Sequence, residues 1–268
     1  MTTETNIDPI LKKLATVNPY LFGADMIRRR LLWDLNPKSW RSRRHLKSIQ
    51  NTRVGAKTII ICNGPSLLKT DFQSLKEVDT FGLNKINLLF DKTDFRPSRI
   101  VAVNDLPLQQ NADFFNDTTI PLLLDSSATD YIRSRPNVTF LHSWHGARFA
   151  KDCSISIPQG NTVTYVALEL AFHMGYSDVA LVGCDHYFKS QGPANMRVES
   201  GAKDESHFDP NYFAGGAKWD LPDLPASDFY YAMAQRYYAA YGRRIINATV
   251  GGHLDIFPRM HLNQWLEE

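Results

Sequence analysis

The residues best equipped for chemistry sit just after short apolar runs. Cys62-Asn63-Gly64-Pro65-Ser66 follows Thr58-Ile59-Ile60-Ile61, Asn84 follows residues 81–83, and Asn104-Asp105 follows residues 100–103. Gly183-Cys184-Asp185-His186-Tyr187 follows another run at residues 179–182. Gly64 permits close approach of a ligand to the backbone. Pro65 and Ser66 suit the first turn of a helix, whose free N–H groups receive a phosphate. A plain strand-to-helix turn uses the same residues. Asn84 and Asn104 each carry a donor and an acceptor and so read a base or sugar without charge, although turns and caps are the commoner use of asparagine. Asp185 suits orienting a ring, capping a helix or holding a metal, and His186 and Tyr187 suit donation to a phosphate. Histidine as a residue type can take up and release a proton near neutral pH, which makes His207, in Ser206-His207-Phe208-Asp209-Pro210, the candidate to take a proton from an attacking hydroxyl. A lone histidine is more often structural.

Several chemistries are disfavoured. The Asn63-Gly64-Pro65-Ser66 turn lacks the lysine of a Walker loop and is not Gly-x-Gly-x-x-Gly. No Gly-x-Ser-x-Gly elbow and no Asp-x-Asp pair occur. His142 and His145 are three apart, but no cysteine or carboxylate at metal-ligand spacing accompanies them. No metal and no cofactor is expected.

These residues need a scaffold that gathers strand ends. Short apolar runs recur at residues 58–62, 81–83, 100–103, 121–124, 138–141, 179–182 and 244–246, with helical stretches between them. The clearest helix is 162–174, where Val163, Val166, Ala167, Leu170, Ala171 and Met174 form one stripe; residues 227–241 form another, rich in aromatics that serve a core or an interface. The alternation predicts an α/β fold with a Rossmann-like, mostly parallel sheet and helices on both faces. Ligands of such sheets bind beyond the carboxyl ends of the strands. Residues 188–225 break the rhythm, are polar and rich in Gly, Pro, Asp and Asn, and are expected to form a lid. Asn247-Ala248-Thr249-Val250-Gly251-Gly252 follows the last run and is placed to close the same pocket.

Residues 1–50 read as a helical, basic extension to a catalytic domain at 51–268. Ile10, Leu11, Leu14 and Val17 have helical spacing, as do Met26, Ile27, Leu31 and Leu32. Between Arg28 and Lys57 there are ten Lys or Arg against one acid, Asp34. With Trp33 and Trp40 nearby, this segment suits peripheral contact with an anionic membrane; a solvated basic face that packs its tryptophans on the main domain is the plainer alternative.

Bulk properties agree with a folded globular protein. The 268 residues are 43% apolar and 22% charged, with a net charge of +2 that is too small to imply a nucleic-acid partner. Three widely spaced cysteines, Cys62, Cys153 and Cys184, argue against a disulfide framework and for a reducing compartment. With no apolar run long enough to span a bilayer and no signal-peptide pattern, a cytoplasmic location is expected.

Taken together, the motifs resemble a known group. The stretch Ile61-Cys62-Asn63-Gly64-Pro65-Ser66-Leu67 is similar to the opening strand and turn of the bacterial sialyltransferases of glycosyltransferase family 42. Residues 162–176 followed by 178–187, ending Gly-Cys-Asp-His-Tyr, resemble their second signature. Gly160-Asn161-Thr162-Val163-Thr164 and the 247–252 segment look closer to a related domain of the motility-associated flagellin glycosyltransferases and an archaeal hydroxymethylpterin diphosphokinase.

The resemblance spans roughly residues 57–252 and implies a GT-A-like fold and an inverting, metal-independent transfer of a nonulosonic or related sugar. The donor would be CMP-linked and the acceptor a glycan or glycolipid of the bacterial surface, with a homo-oligomeric enzyme expected. It implies that Asn63, Gly64, Pro65 and Ser66, with Gly183, Thr162 and Thr164, surround the nucleotide; that Asn84, Asn104 and Asp105 lie near the cytidine and the donor sugar; that Tyr187, with His186 and Asp185 beside it, meets the leaving phosphate; and that His207 is the general base. A second phosphate-contacting tyrosine would fall near Pro193 and is missing, with His186 or Arg197 as its substitute. Two alternatives stand beside this reading. One is a Mg²⁺-dependent diphosphokinase using Asp105, Asp185, Asp204 and Asp209; the other is a non-catalytic nucleotide-sugar or glycan-binding module.

Overall fold

A computed structural model describes residues 18–144, 146–190 and 192–268. The helical spacing at Ile10, Leu11, Leu14 and Val17, and His145 of the histidine pair, lie outside the described residues. Helices α1 (Pro19–Leu35) and α2 (Pro37–Ile49) come first. Strands β1 (Lys57–Ile61), β2 (Asp79–Leu83) and β3 (Arg99–Ala102) follow. Next come α3 (Asp105–Gln110), α4 (Ala112–Asp117), β4 (Leu122–Asp125) and β5 (Val138–Leu141). A ribbon of β6 (Ser143–Trp144) and β7 (Ile157–Pro158) leads into α5 (Val163–Met174) and β8 (Asp178–Val182). The chain ends with β9 (Arg197–Glu199), β10 (Lys218–Asp220), α6 (Leu224–Ala240), β11 (Arg244–Asn247) and α7 (Leu262–Glu267).

Seven strands form one parallel sheet in the order β11-β8-β1-β2-β3-β4-β5. The chain winds outward from β1 to β5, then returns to place β8 and β11 on the other side of β1. The switch point is therefore between β1 and β8, where crossovers diverge and leave a crevice at the carboxyl ends of the strands. Both turns singled out in the sequence, after β1 and after β8, open into it.

The seven apolar runs become strands because each is buried on both faces. Ile60, Phe81, Val101, Leu123 and Leu181 face one core, and Ile59, Ile61, Ile100, Leu122, Leu124 and Ala180 face the other. The covering of the two faces is unequal. Helices α5 and α6 and Leu46 of α2 pack on the first. The second is closed by short helices and 3₁₀ turns, by Trp33 and Trp265, and by Phe208, Tyr212, Phe213 and Trp219 of the 188–225 segment. Every residue of α5 is buried, including Glu169 and His173. Glu169 accepts from the Ala150 N–H, and burial pushes its carboxyl well above the usual carboxylate range. The aromatic helix α6 is largely core: Tyr230, Tyr231 and Tyr238 are buried, while Phe229 is exposed.

The described part of the N-terminal extension packs on the main domain. Leu46 is 2% exposed and belongs to the same core as β1 and β2. The Phe140 N–H of β5 donates to Ser42 Oγ at 3.0 Å, and a ring nitrogen of His173 meets the Leu46 carbonyl at 2.9 Å. α2 thus finishes the β5 edge. α1 also departs from its expected face: Ile27, Leu31 and Leu32 are exposed, while Trp33 is buried and Phe22 and Met26 are half-buried. The basic cluster is mostly internal wiring. Arg28 and Arg29 pair with Asp25, Arg30 and Arg43 with Asp34, Lys47 with Asp152 and Arg53 with Asp79. Among the described residues, no helix is long and apolar enough to cross a membrane.

Candidate active site

A cleft of about 1380 Å³ runs along the carboxyl edge of the sheet from the switch point to α1. It gathers Asn63, Gly64, Asn84, Asn104, Asp105, Thr162, Thr164, Gly183, Asp185, His186, Tyr187 and His207. Pro65 and Ser66 lie behind Gly64 in a five-residue 3₁₀ turn.

The β1 turn is occupied by the chain itself. Gly64 N–H donates to the Gly183 carbonyl at 2.8 Å. Ser66 donates to one oxygen of Asp185 through its N–H at 3.2 Å and its hydroxyl at 2.7 Å. A Cβ on Gly64 would lie 1.9 Å from that same oxygen, so the absence of a side chain at 64 is what admits the Asp185 carboxylate. The anion at this turn is therefore Asp185, and the expected phosphate contact through Ser66 would require the carboxylate to leave. Pro65 has no N–H to offer. Gly183, at φ +66°, crosses so close to β1 that a Cβ would meet the Cys62 carbonyl at 2.9 Å. The two turns form a rigid floor at the switch point.

Above that floor two asparagines are half-satisfied. Asn63 donates its amide N–H to the Leu83 carbonyl at 3.1 Å, which leaves its buried Oδ1 without a partner. Asn84, held at φ 47°, also presents a buried Oδ1 without a partner. Unpaired buried acceptors are uncommon and mark places where a ligand or water completes the set. Two such oxygens at the ends of adjacent strands match N–H or O–H donors of a base or ribose. Asn104 and Asp105 lie farther along, both exposed, with Asp105 accepting from Ser127 Oγ at 2.8 Å. Thr162 caps α5 by accepting from Thr164 N–H at 3.3 Å, and Thr164 Oγ1 lies 3.5 Å from Cys62 Sγ. Both threonines hold the floor together.

Residues 188–225 form an anchored arch. β9 and β10 pair antiparallel, and Phe208 N–H donates to the Asn63 carbonyl at 2.9 Å. Lys85, 8% exposed, reaches the Tyr212 carbonyl at 2.7 Å and Gln110 Oε1 at 2.6 Å. Burial lowers the Lys85 amine to about 8, against the opposing pull of Asp204. His207 stacks face to face on Tyr212, with ring centroids 4.0 Å apart and 2° between planes. Its Nδ1 is 2.8 Å from Asp204 Oδ2. A carboxylate only accepts, so Nδ1 carries the proton and Nε2 is left as the free base nitrogen, with no partner among the described residues. Burial alone would raise the Asp204 carboxyl, but His207 and the N–H groups of Ser206 and Phe213 outweigh it and hold it low. In the sequence Asp204 stands out only as a candidate metal carboxylate; an acid three residues before a histidine in a turn is the available signal for an orienting partner.

The remaining candidates divide. Tyr187 is half exposed beside His253, ring centroids 5.4 Å apart, and is free to approach a ligand at the mouth. Arg197 pairs with Asp220 at 2.9 Å and is already engaged, whereas His186 Nε2 lies 2.7 Å from Asp228 Oδ1 without a hydrogen bond, so of the two substitutes for the missing second tyrosine only His186 keeps an unpaired donor or acceptor. The four carboxylates of the diphosphokinase alternative do not converge. Asp105 meets Ser127, Asp185 meets Ser66, Asp204 meets His207 and Asp209 meets Lys92. Among the described residues, no three His, Cys, Asp or Glu side chains are grouped to hold a metal ion.

No family model matches the sequence, and no curated protein matches it. Among solved structures it resembles the MAf glycosyltransferase from Magnetospirillum magneticum AMB-1, with 15% identity and a TM-score of 0.48. The likeness covers 84% of this chain and 39% of that one, so the chain spans about two fifths of that protein's length.

Proposed function

We propose that this chain is an inverting glycosyltransferase that takes a nonulosonic or related sugar from a CMP-linked donor to a glycan or glycolipid hydroxyl. The observation that carries the reading is the placement of His207. Its free Nε2 belongs to an arch tied to Asn63, and it lines the same cleft as the unpaired oxygens of Asn63 and Asn84.

In this mechanism the Asn63 and Asn84 oxygens accept from the amino group and hydroxyls of the nucleotide. The acceptor hydroxyl gives its proton to His207 Nε2 as its oxygen attacks the anomeric carbon. The bond from that carbon to the phosphate oxygen breaks, and its electron pair leaves with the nucleotide. Tyr187 donates to that phosphate oxygen. Asp204 keeps the imidazole in the productive tautomer and stabilises it once protonated, as the carboxylate of a catalytic triad does. The exposed apolar side of α1, with Tyr20, Leu21, Ile27, Leu31 and Leu35, supports peripheral contact with a membrane carrying the acceptor.

Thermal stabilisation by CMP, CDP, UDP, GDP and ATP, each with Mg²⁺ and with a chelator, tests the donor. A ligand at 100 times its Kd adds about 2.7 kcal/mol. Stabilisation by CMP that survives the chelator supports the reading. Stabilisation by ATP with Mg²⁺ alone sinks it in favour of phosphoryl transfer.

A further inference from the structure

The cleft is larger than one substrate needs. Ordinary ligand pockets hold about 300–1,000 Å³, whereas this one reaches about 1380 Å³ because it continues past the switch point to the inner face of α1. The extension has its own walls. Trp33 of α1 stacks on His142, with ring centroids 6.2 Å apart and planes at 29°. Arg30 fixes α1 over the β6–β7 ribbon by donating to the Ile155 carbonyl at 2.5 Å. Trp144 lies on β6, whose carbonyl receives the Gln159 N–H at 3.0 Å.

Polar groups go unanswered at this end of the cleft too. Among the described residues, neither ring nitrogen of His142 has a hydrogen-bond partner outside its own backbone, the indole nitrogen of Trp144 has none, and all three atoms are buried. A buried polar atom without a partner loses its water and gains nothing in return, so native proteins rarely keep three together unless something else completes them. Burial, and then the nearby Arg30, keep the imidazole in its neutral form. It therefore offers one donor and one acceptor, and the indole adds a second donor. Trp33, 6% exposed, and the half-buried Trp144 line the cleft beside them. Flat apolar platforms edged by uncharged donors and acceptors match a sugar ring, which has a C–H face and hydroxyls that both give and accept.

We propose that Trp33, His142 and Trp144 form a second, sugar-binding subsite that seats the acceptor glycan against α1, at the far end of the cleft from Asn63 and Asn84. The assignment of that sugar as acceptor rests on the transferase reading; the sugar subsite itself does not. α1 is then part of the substrate site, which explains why its inner face, and not its more apolar outer face, turns toward the sheet.

Indole N–H signals of ¹⁵N-labelled protein titrated with methyl glycosides of common hexoses and N-acetylhexosamines test this directly. The chain has 5 tryptophans, and Trp144→Phe identifies the signal that matters. At least one glycoside is expected to shift the Trp144 signal saturably, with the shift persisting in excess CMP. His142→Phe is expected to weaken that glycoside at least tenfold while leaving CMP binding unchanged and Tm equal or higher, since it removes two unpaired nitrogens. The proposal is overturned if no glycoside shifts Trp144, if CMP abolishes the shift, or if His142→Phe leaves affinity intact. If CMP itself does not bind, the donor reading fails while the glycoside titration still decides the subsite.

Discussion

His207 and Asp204 form a part-buried pair in which a single ring nitrogen, Nδ1, lies 2.8 Å from a carboxylate oxygen that also receives the Phe213 N–H at 3.1 Å. Their side chains are only 11% and 6% exposed. Because the carboxylate is fixed from both sides, the imidazole cannot rotate to offer Nδ1 as a base. His207→Ala is expected to lower kcat by about 10²–10⁴ with little change in donor KM. Asp204→Asn is expected to move in the same direction, because an amide donates to Nδ1 and leaves the proton on the wrong nitrogen. Steady-state kinetics with the CMP-linked donor found in screening checks both. An unchanged kcat in His207→Ala removes it as the base.

The same pair makes stability depend on acid. Asp204 is held below the usual 3.8 in the folded chain, so its contribution is complete above that value and is lost as pH falls through the lower folded value. Asp204→Asn should therefore be less stable than the parent at pH 7, with the gap closing below about pH 4. Thermal melts across that range measure it. A gap that stays constant with pH would show that the carboxylate is not charged in the fold.

Gly64 and Asp185 are a matched pair across the switch point. Gly64→Ala places a methyl carbon 1.9 Å from Asp185 Oδ2 and must displace it from Ser66. The expected loss is about 1–3 kcal/mol of stability, the usual cost of overpacking. Asp185→Ala in the same chain should recover part of it, since the clash then has no partner. A double variant no better than Gly64→Ala alone would mean that the glycine serves another contact.

How far the sequence reached is clearest at the strands and poorest in the arch. The runs at 58–62, 138–141 and 179–182 match β1, β5 and β8 to within a residue, because a strand buried on both faces must be apolar throughout. The turn residues after β1 and β8 followed from that placement alone. The 188–225 segment looked like a lid because its polar and glycine-rich stretches outweigh four scattered aromatics, Phe208, Tyr212, Phe213 and Trp219, which pin it to the second core. No local periodicity announces anchors spaced that irregularly. The role of Asp185 was open for the same kind of reason: whether an acid caps its own helix or fills a turn 119 positions away depends on strand order, which pattern does not specify. His142 and Trp144 were missed as a pair because their significance is an absence of partners, visible only once every neighbour is placed.

The structural status of residues 37–49 can be read from two leucines. Leu46 is 2% exposed in the main core, and Leu31, on the outer side of α1, is 56% exposed. Leu46→Ala is expected to cost about 2–5 kcal/mol through lost burial and a residual cavity. Leu31→Ala should change stability by less than about 0.5 kcal/mol, as surface substitutions do. Chemical denaturation of the two variants separates the outcomes. Similar small effects in both would show that α2 contributes little to the core.

Lys85 ties the arch to the sheet and should report it through pH. Its amine titrates near 8 in the fold and near the ordinary 10.5 when unfolded, with burial as the main cause. Below about 8 both states carry the proton, and the fold bears the full cost of a buried ammonium. Between about 8 and 10.5 the unfolded chain binds more protons, so this group makes stability rise with pH. Buried Cys153 and Cys184 push the other way, since their folded values lie well above the usual 9.0 and the unfolded thiols ionise first. The comparison must therefore be with Lys85→Met, in which the cysteine contribution is the same. The Tm of the parent minus that of Lys85→Met is expected to increase from pH 8 to pH 10. A difference that stays flat would mean that the ammonium is solvated in the fold, and that the contacts to Gln110 and Tyr212 do not hold the His207 arch in place.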